Sequence, residues 1–598
     1  MNRAKKNFEQ TKKAVEYVQR KDATIETYEK IGFMSGLEVH QQLKTEEKLF
    51  CRCKAGIYHD FDNYDAEVIR HMRPTLSELG EYDGTALMEF RTRKNITYRI
   101  NNETACTYEI DDTPPFSINR QALNQAIEIS LLLKQNVVGE LHIARKQYLD
   151  GSIPTGFQRT AIVGIEGEFY LREKRIGVIQ MSIEEDSCRE VSDIGHERIY
   201  VTDRLGMPLI ETVTYPDMLT PEECMEACHY IRFLNRSTGK VRTGIGAGRQ
   251  DVNVSVTGGT RVEIKGVHKI VWIPELTHNE AFRQRSLLIM KDRINSKITP
   301  EQWKKGFVWK EIDKSVLENI DFQPLKDGIE KNLKLIIVNL PKMNGFLSHF
   351  TQPEKPFIEE ISTRLKVIAG LEKPNHLTSE DLTEIIDDKK WDELRKLLNS
   401  NDDDAQILFW TSDYDQKIAI ETIEERCLMI FDGVPNETRK SLKDGTTIFE
   451  RVLPGADRMY PDTDSAPISI SSEEIKEIRN HIPVDLAKRM EQLAEWKAPI
   501  DVRHFILRNN LMPIIERIIK DFDFSPKFVT TVFGHKLKYC FGKTTNPDFD
   551  IEQIYYLFKF VEERKLENAI LPEMMVVMYE NESLTFDKIL EVLDYKKY

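Results

Sequence analysis

Two alternating runs, DVNVSV at 251–256 and RVEIKGV at 261–267, flank Thr257-Gly258-Gly259-Thr260. Successive side chains of a strand point to opposite faces, and a Gly-Gly turn supplies the backbone freedom that a reversal needs, so this segment has to form an antiparallel hairpin. The valines and Ile264 take one face. Asp251, Asn253 and Ser255 share the other face on the first strand, as Arg261, Glu263 and Lys265 do on the second. Six polar groups on a sheet whose reverse side is core suit a site floor with cation-binding carboxylates and phosphate-binding cations. A solvated hairpin face fits the same pattern.

The neighbouring sequence extends the sheet. Between about 95 and 215 come the strand-like runs NITYRI, TACTYEI, TAIVGIEGEFYL, RIGVIQMSI and ERIYVTD, with one helix expected over 121–133. This points to a large mixed sheet, largely antiparallel. Residues 1–30 read as a charged helix, after which IGFMSGLEVHQQL changes to period two. Thr220-Pro221-Glu222-Glu223 has a cap, a first-turn proline and an acid at N3, which predicts a helix to about 234. A charged amphipathic helix over 276–293 then leaves the sheet. Residues 306–435 alternate β runs (LKLIIVNL, AQILFWTSD) with helical stretches, and 377–404 reads as an acid-rich, solvated helix ending in a loop. From 471 onward the periodicity is almost purely helical. The expected fold class is multidomain α+β: a sheet body at 1–305, an α+β insertion at 306–435, a return segment at 436–470, a helical domain at 471–545 and a small helical tail at 546–598.

Charge and cysteine usage narrow the functional classes. A net charge of −14 with 40% hydrophobic residues excludes a globally disordered chain and argues against a generic phosphate-coating protein. A local basic surface stays open, because residues 501–545 carry eight Lys or Arg against four Asp or Glu, interspersed with Phe505, Phe528, Phe533, Tyr539 and Phe541. Those aromatics suit a core equally well. Eight cysteines are too sparse for a disulfide framework, so a reducing cytoplasm is expected. There is no apolar run of about 18 residues and no signal-like N-terminus, so neither membrane spanning nor secretion is expected.

Other polar clusters carry open alternatives. Within GLEVHQQ, strand alternation puts Glu38, His40 and Gln42 on one face, neighbours about 7 Å apart. They suit a cation site or a solvent-facing surface. In Ile183-Glu184-Glu185-Asp186, alternation sends Glu184 and Glu185 to opposite faces, and it does not say which one faces a site; Glu211, closing MPLIE, has the same ambiguity. Gly244 to Arg249 is a glycine-rich approach able to present N–H groups to phosphate, but GxxxxGK[ST] is absent, so no P-loop is expected. Arg145-Lys146-Gln147-Tyr148 and Tyr215-Pro216-Asp217 read as candidate ligand-binding loops. Cys51 and Cys53 can be combined with Cys224, Cys228 and His229 into a zinc site, but they lack paired CxxC spacing. Buried core cysteines are the simpler reading.

Taken together, GLEVH, KLFCRC, RKQYLDGSIPTGFQRT, IEEDSCR, DRLGMPLIE, TYPDMLTPEEC, GAGRQDVNVSV, RVEIKG and LPGADRMYPDTD resemble, in order and spacing, the GatB/GatE family of tRNA-dependent amidotransferase subunits. The motifs span about 36–467. An insertion between RVEIKG and LPGADRMYP resembles that of the archaeal-type branch, and its position is similar to the GAD domain of bacterial-type aspartyl-tRNA synthetases. The tail would be YqeY-like. The resemblance implies that Glu-tRNA(Gln), ATP and ammonia give Gln-tRNA(Gln), ADP and phosphate. It implies Mg²⁺ held by Glu38, His40 and Glu185, with Glu184, Glu211 and Asp251 as further members of the catalytic set. Arg249 would bind phosphate or the intermediate, with Asn253, Ser255 and Lys265 beside it. No complete glutaminase constellation is legible, which agrees with ammonia coming from an asparaginase-like GatD partner in a dimer of heterodimers. The helical domain, the tail and the insertion would grip tRNA. A non-catalytic tRNA scaffold and a form acting on Asp-tRNA(Asn) are the competing readings.

Overall fold

The structure is a computed structural model that describes the chain except residues 1, 77–79, 112, 454, 456, 457, 483, 484, 545, 547, 548 and 596–598. Pro454, Ala456 and Asp457 of the LPGADRMYPDTD segment therefore lie outside the described residues. The chain forms two units, residues 1–229 with 242–475 and residues 230–241 with 476–598.

The first unit is built on an eleven-stranded sheet. Its strands are β1 (Met34–Gln42), β2 (Asn136–Val137), β3 (Ile143–Gln147), β4 (Phe157–Leu171), β5 (Lys174–Glu185), β6 (Pro208–Thr214), β7 (Gly248–Ser255), β8 (Val262–Val267), β9 (Glu437–Ser441), β10 (Thr447–Val452) and β11 (Met459–Pro461). Their order is β10-β9-β8-β7-β1-β6-β5-β4-β3-β11, with β2 on β4. Only β8 and β9 pair in parallel. The mixed, largely antiparallel sheet read from the sequence is thus present, and the hairpin around Gly258-Gly259 pairs Val254 with Val262 and Asn253 with Glu263. Because β9 follows β8 only after some 170 residues, the segment between them is an insertion into the sheet, and the return strand docks beside the hairpin.

Apolar side chains of one face, among them Leu37, Val39, Ile183, Ile210, Val252, Val254 and Ile264, are fully buried. A second sheet of four strands, including Asn95–Ile100 and Glu197–Val201, packs on its own small core around Tyr98 and Tyr200. The insertion has another four-stranded sheet, built on Lys334–Leu340 and Ala405–Thr411. It is buried on both faces, as near-continuous apolar strands should be. Ile336, Val338, Ile407 and Phe409 meet Leu287, Met290 and Phe449 on one side, while Leu335, Ile337 and Leu408 meet Trp391 and Leu394 on the other.

Three local expectations change. The 1–30 stretch is two helices, Arg3–Ala14 and Ile25–Ile31, the first ending where Glu16 takes a positive φ of 58°. TACTYEI contains a helix, Thr107–Asp111, in place of a strand. Its period-two pattern is overridden locally: the Cys106 N–H donates to Glu109 Oε2 at 3.1 Å, a side-chain cap on the helix start. The helix over 276–293 runs as Ile273–Asn295, but it is no exposed amphipathic arm, since fifteen of its 23 residues are buried. Its charges survive burial because they are paired. Glu280, Arg283, Glu360, Arg364, Arg426, Glu437 and Arg439 form one interior cluster, in which Glu360 accepts from Arg283 at 3.1 Å and from Arg439 at 2.9 Å. The cluster joins that helix, two insertion helices (Ile358–Ala369 and Gln416–Asp432) and β9. The acid-rich 377–404 segment forms the helix Asp388–Leu398, whose Trp391, Leu394 and Leu398 are buried.

The second unit is helical, with one core running from Leu493 and Ile506 through Ile515 and Phe533 to Leu557, Met574 and Ile589. Phe505 and Phe533 belong to that core and Phe528 and Phe541 pack against it, while Tyr539 is exposed. Among the described residues no helix is long and apolar enough to cross a membrane.

Candidate functional site

The site is the sheet face opposite the apolar one. Antiparallel register sets His40 of β1 against Glu211 of β6 on one side and Arg249 of β7 on the other, Glu211 against Ser182 of β5, and Glu38 against Asp251. Directly paired residues share a face, and alternation carries the face on to Gln42, Glu184, Asn253, Glu263 and Lys265. Through Thr160, which pairs with Glu184 and with Ala144, the same face reaches Lys146 on β3.

These groups converge as two adjoining carboxylate clusters, His40 with Glu184 and Glu211, and Glu38 with Asp251 and Glu263, the donor atoms in each lying within 4.8 Å of one another. In the first, His40 Nε2 lies 3.1 Å from Glu211 Oε1 and 3.8 Å from Glu184 Oε1, while Lys146 Nζ donates to Glu184 Oε2 at 2.9 Å. Ser182 Oγ donates to Glu211 Oε2 at 3.2 Å. In the second, Lys265 Nζ reaches Asp251 Oδ2 at 2.8 Å and Glu263 Oε1 at 2.6 Å, and Asn253 Nδ2 donates to Glu38 Oε1 at 3.0 Å. The Gly266 N–H also donates to Asp251, at 2.8 Å. Gly266 sits at a register shift with φ of 62°, which glycine adopts without strain and which aims that N–H at the carboxylate. Alongside, Asp186 accepts from Gln42 Nε2 at 2.7 Å and from Arg249 Nη1 at 3.0 Å.

Burial sharpens the electrostatics. Desolvation, with Glu263, Glu211 and Asp251 close by, pushes Glu38 up to about 7. Glu211 is held well below the ordinary range, because Lys146 and His40 outweigh its own desolvation. His40 is raised: burial opposes its charge, but the bond and charge of Glu211 prevail. Asp251 is lowered by Lys265 and His40, and Asp186 by Arg249 and Arg204, again against burial. Six carboxylates (Glu38, Glu184, Asp186, Glu211, Asp251, Glu263) thus face four permanent cations, Lys146, Arg204, Arg249 and Lys265. His40 Nδ1 and Asn253 Oδ1 are buried without a hydrogen-bond partner. Excess buried negative charge together with an unused imidazole nitrogen is a donor set suited to a divalent cation.

Of the residues named from sequence, Glu38, His40, Glu184, Glu211, Asp251, Arg249, Asn253 and Lys265 meet on this face. Ser255 lies at the end of β7 opposite Met34, away from the two clusters. Glu185 is not brought to Glu38 and His40. The strand is regular to its end, so Glu185 takes the reverse face, where it accepts from Tyr108 Oη at 2.7 Å and from the Arg159 N–H at 3.0 Å. Burial raises it. Glu263, Lys146 and Asp186 belong to the face as well, though the family resemblance named none of them for the catalytic or phosphate-binding set. Glu263 was on the polar side of the hairpin, Asp186 closed the acidic run, and Lys146 was read as loop although it lies in β3. Alternation within one run placed Glu263; the signal that finds Lys146 and Asp186 is cross-strand register, which no single run carries.

A family profile, the GatB/GatE catalytic domain, matches residues 33–476. The chain is 35% identical over 562 residues to the E-type subunit of glutamyl-tRNA(Gln) amidotransferase from Saccharolobus solfataricus, covering 92% of this chain and 86% of that one. It is 36% identical over 576 residues to the protein of the same name from Methanocaldococcus jannaschii, covering 95% and 90%.

Proposed function

Because the chain belongs to the GatB/GatE family, we propose that its polar sheet face phosphorylates the glutamyl side chain of Glu-tRNA(Gln) with ATP and amidates it with ammonia from a partner subunit. The chain is a subunit of a tRNA-dependent amidotransferase, a carbon–nitrogen ligase. The observation that supports the two-step reaction is the pair of buried carboxylate clusters crossed by Lys146, Lys265 and Arg249.

A carboxylate is a poor electrophile, and bringing it to a triphosphate sets anion against anion. Mg²⁺ would be held by Glu38, Asp251 and Glu263 and by His40, Glu184 and Glu211, and when bound it neutralises phosphate oxygens as charge shifts during phosphoryl transfer. Arg249 and Lys265 each already hold a carboxylate, so they are pre-oriented cations that phosphate oxygens can recruit. His40 is fixed through Nε2 by Glu211, which sets the orientation of its free Nδ1. The acyl phosphate then takes neutral ammonia and releases phosphate; burial of the face keeps competing water away from that mixed anhydride. A GatD-like asparaginase-type partner would release the ammonia, in a dimer of heterodimers, and the helical unit with its basic 501–545 segment would hold tRNA in the cytoplasm.

The test uses purified chain with the partner or added ammonium, γ-labelled ATP and Glu-tRNA(Gln), following ADP and the aminoacyl group. Expected is conversion to Gln-tRNA(Gln) in wild type, with loss of ADP release and retained tRNA binding in Glu184→Gln and Glu211→Gln. Wild-type turnover in both variants would reject the site. Equal kcat/KM for Asp-tRNA(Asn) would reject the substrate assignment.

A further inference from the structure

Apart from the sheet face, the first unit holds a cavity of about 590 Å³. It lies between the helix Gly84–Arg91, the strand Asn95–Ile100, the chain just after the strand Ala66–Arg70 and the first turn of the insertion helix Gln416–Asp432. That volume suits a small-ligand site, and none of the lining residues belongs to the two carboxylate clusters. We propose that the cavity is a second nucleotide site, which takes one unstacked residue of the RNA substrate, with a phosphate on its cationic rim and the base against Glu89. The RNA source rests on the amidotransferase reading above.

Charge carries the first half of the assignment. The lining has five Lys or Arg against two Glu in a chain of net charge −14, so an anion is drawn here against the overall field of the molecule. Two of the five are already engaged, since Arg91 donates to Glu425 at 3.0 Å and Lys94 to Asp193 at 2.6 Å. The other three are open to a ligand. Arg73 is exposed and has no carboxylate partner among the described residues. Lys417 comes no nearer to Glu421 than 3.9 Å, and Arg93 gives one terminal nitrogen to the Tyr414 carbonyl at 3.1 Å, leaving the other for a phosphate oxygen.

The second half concerns the base. Phe90 and Tyr414 line the cavity with 49% and 61% of their surface exposed, unlike the aromatics of the surrounding cores. Tyr414 is nonetheless held in place, because the Arg93 guanidinium lies 4.3 Å from its ring centre and His196 meets it edge-on at 5.8 Å. Exposed rings beside free cations are the means by which proteins hold unstacked bases. Ile96, Leu149 and Ile418, all buried, add apolar lining. Among them Glu89 is only 8% exposed, and no described residue donates a hydrogen bond to its carboxylate. A buried carboxylate without a donor is costly, and the exocyclic amine of a base supplies that donor. Burial pushes Glu89 up to about 7, so near neutral pH it repels an incoming phosphate less than an ordinary carboxylate would. Because the free cations and the rings are exposed at the rim, the opening suits a strand passing over it better than an enclosed free mononucleotide.

The full chain would be titrated with a tRNA(Gln) transcript at several salt concentrations, and separately with AMP and CMP. Arg73→Ala combined with Lys417→Ala should weaken transcript binding by about tenfold and lower the slope of log K against log salt by about one to two. Phe90→Ala should weaken it by about fivefold or more. In amidation, these variants should raise KM for Glu-tRNA(Gln) and leave kcat within about twofold, since the reacting groups are on the sheet face. A photoreactive benzoylphenylalanine in place of Phe90 should crosslink to one unpaired position of the transcript. Unchanged affinity in the double variant, crosslinks confined to paired stems, or AMP or CMP binding that the transcript does not displace would each overturn the proposal and leave the amidotransferase reading standing. A wild-type chain that binds no transcript would overturn both. Arg73 and Lys417 are exposed, so their loss spares the fold, and the crosslink is read on a chain that keeps every rim cation.

Discussion

Glu184 and Glu185 are adjacent in sequence and belong to different environments. Glu184 faces His40 and Lys146, whereas Glu185 is enclosed by Tyr108 and Arg159. Glu184→Gln is expected to lower kcat/KM by at least about 10²-fold with little change in folding, because it removes charge where the reacting anions must be held. Glu185→Gln should cost about 1–3 kcal/mol of stability, measured by denaturant titration, because one of the two oxygens that accept from the Tyr108 hydroxyl and the Arg159 N–H is replaced by an –NH2 donor, so only one of those two bonds can be kept. Equal catalytic losses from the two would show that alternation does not decide their roles. At the same scale, burial pushes His349 down to about 4 from an ordinary 6.5. The unfolded chain takes up this proton as pH falls below 6.5 and the folded chain does not until about 4, so stability is full above 6.5 and declines toward 4. His349→Gln should flatten that part of a stability–pH profile; an unchanged slope would count against the assignment.

Elements that look exposed in sequence are buried when their charges find partners. The helix Ile273–Asn295 carries Glu280 and Arg283 at zero exposure because Glu360, Glu437 and Arg439 meet them from two other segments. Removing one carboxylate leaves buried guanidinium groups uncompensated, so Glu360→Gln should destabilise the first unit by about 3–5 kcal/mol. A shift in denaturation midpoint below about 1 kcal/mol would mean that water or a rearranged partner replaces it. The same logic of local bonds over pattern explains TACTYEI, where the Glu109 cap on Cys106 makes a helix from a run with strand-like alternation.

At the scale of the molecule, the second unit has a continuous core of its own, from Leu493 to Ile589. Ile506, with no exposed surface, is at its centre. Ile506→Ala should lower one calorimetric transition by the equivalent of about 2–5 kcal/mol and leave a second transition in place. One transition moving as a whole would show that the two units unfold together. If the basic 501–545 segment holds tRNA as proposed, affinity should fall steeply with salt, and Lys536→Ala with Lys538→Ala should reduce that slope without abolishing ATP hydrolysis.

Periodicity by itself determined the hairpin, the long strands and the helical C-terminal region, because which face a strand side chain takes is a local property of the backbone. It also placed Glu38 with His40 and Asp251 with Asn253 before any fold was known. The family motifs identified the polar residues as a set, yet they paired Glu185 with the wrong neighbours. Only the tertiary structure decided which strands lie side by side, and hence that His40 meets Glu184 and Glu211, that Lys146 crosses to them from β3, and that Cys106 and Glu109 come to Cys51 and Cys53. The physical reason is range. Alternation, capping and turn chemistry act over a few residues, whereas strand order and the partners of buried charges depend on contacts between segments that the chain closes only when the whole core forms.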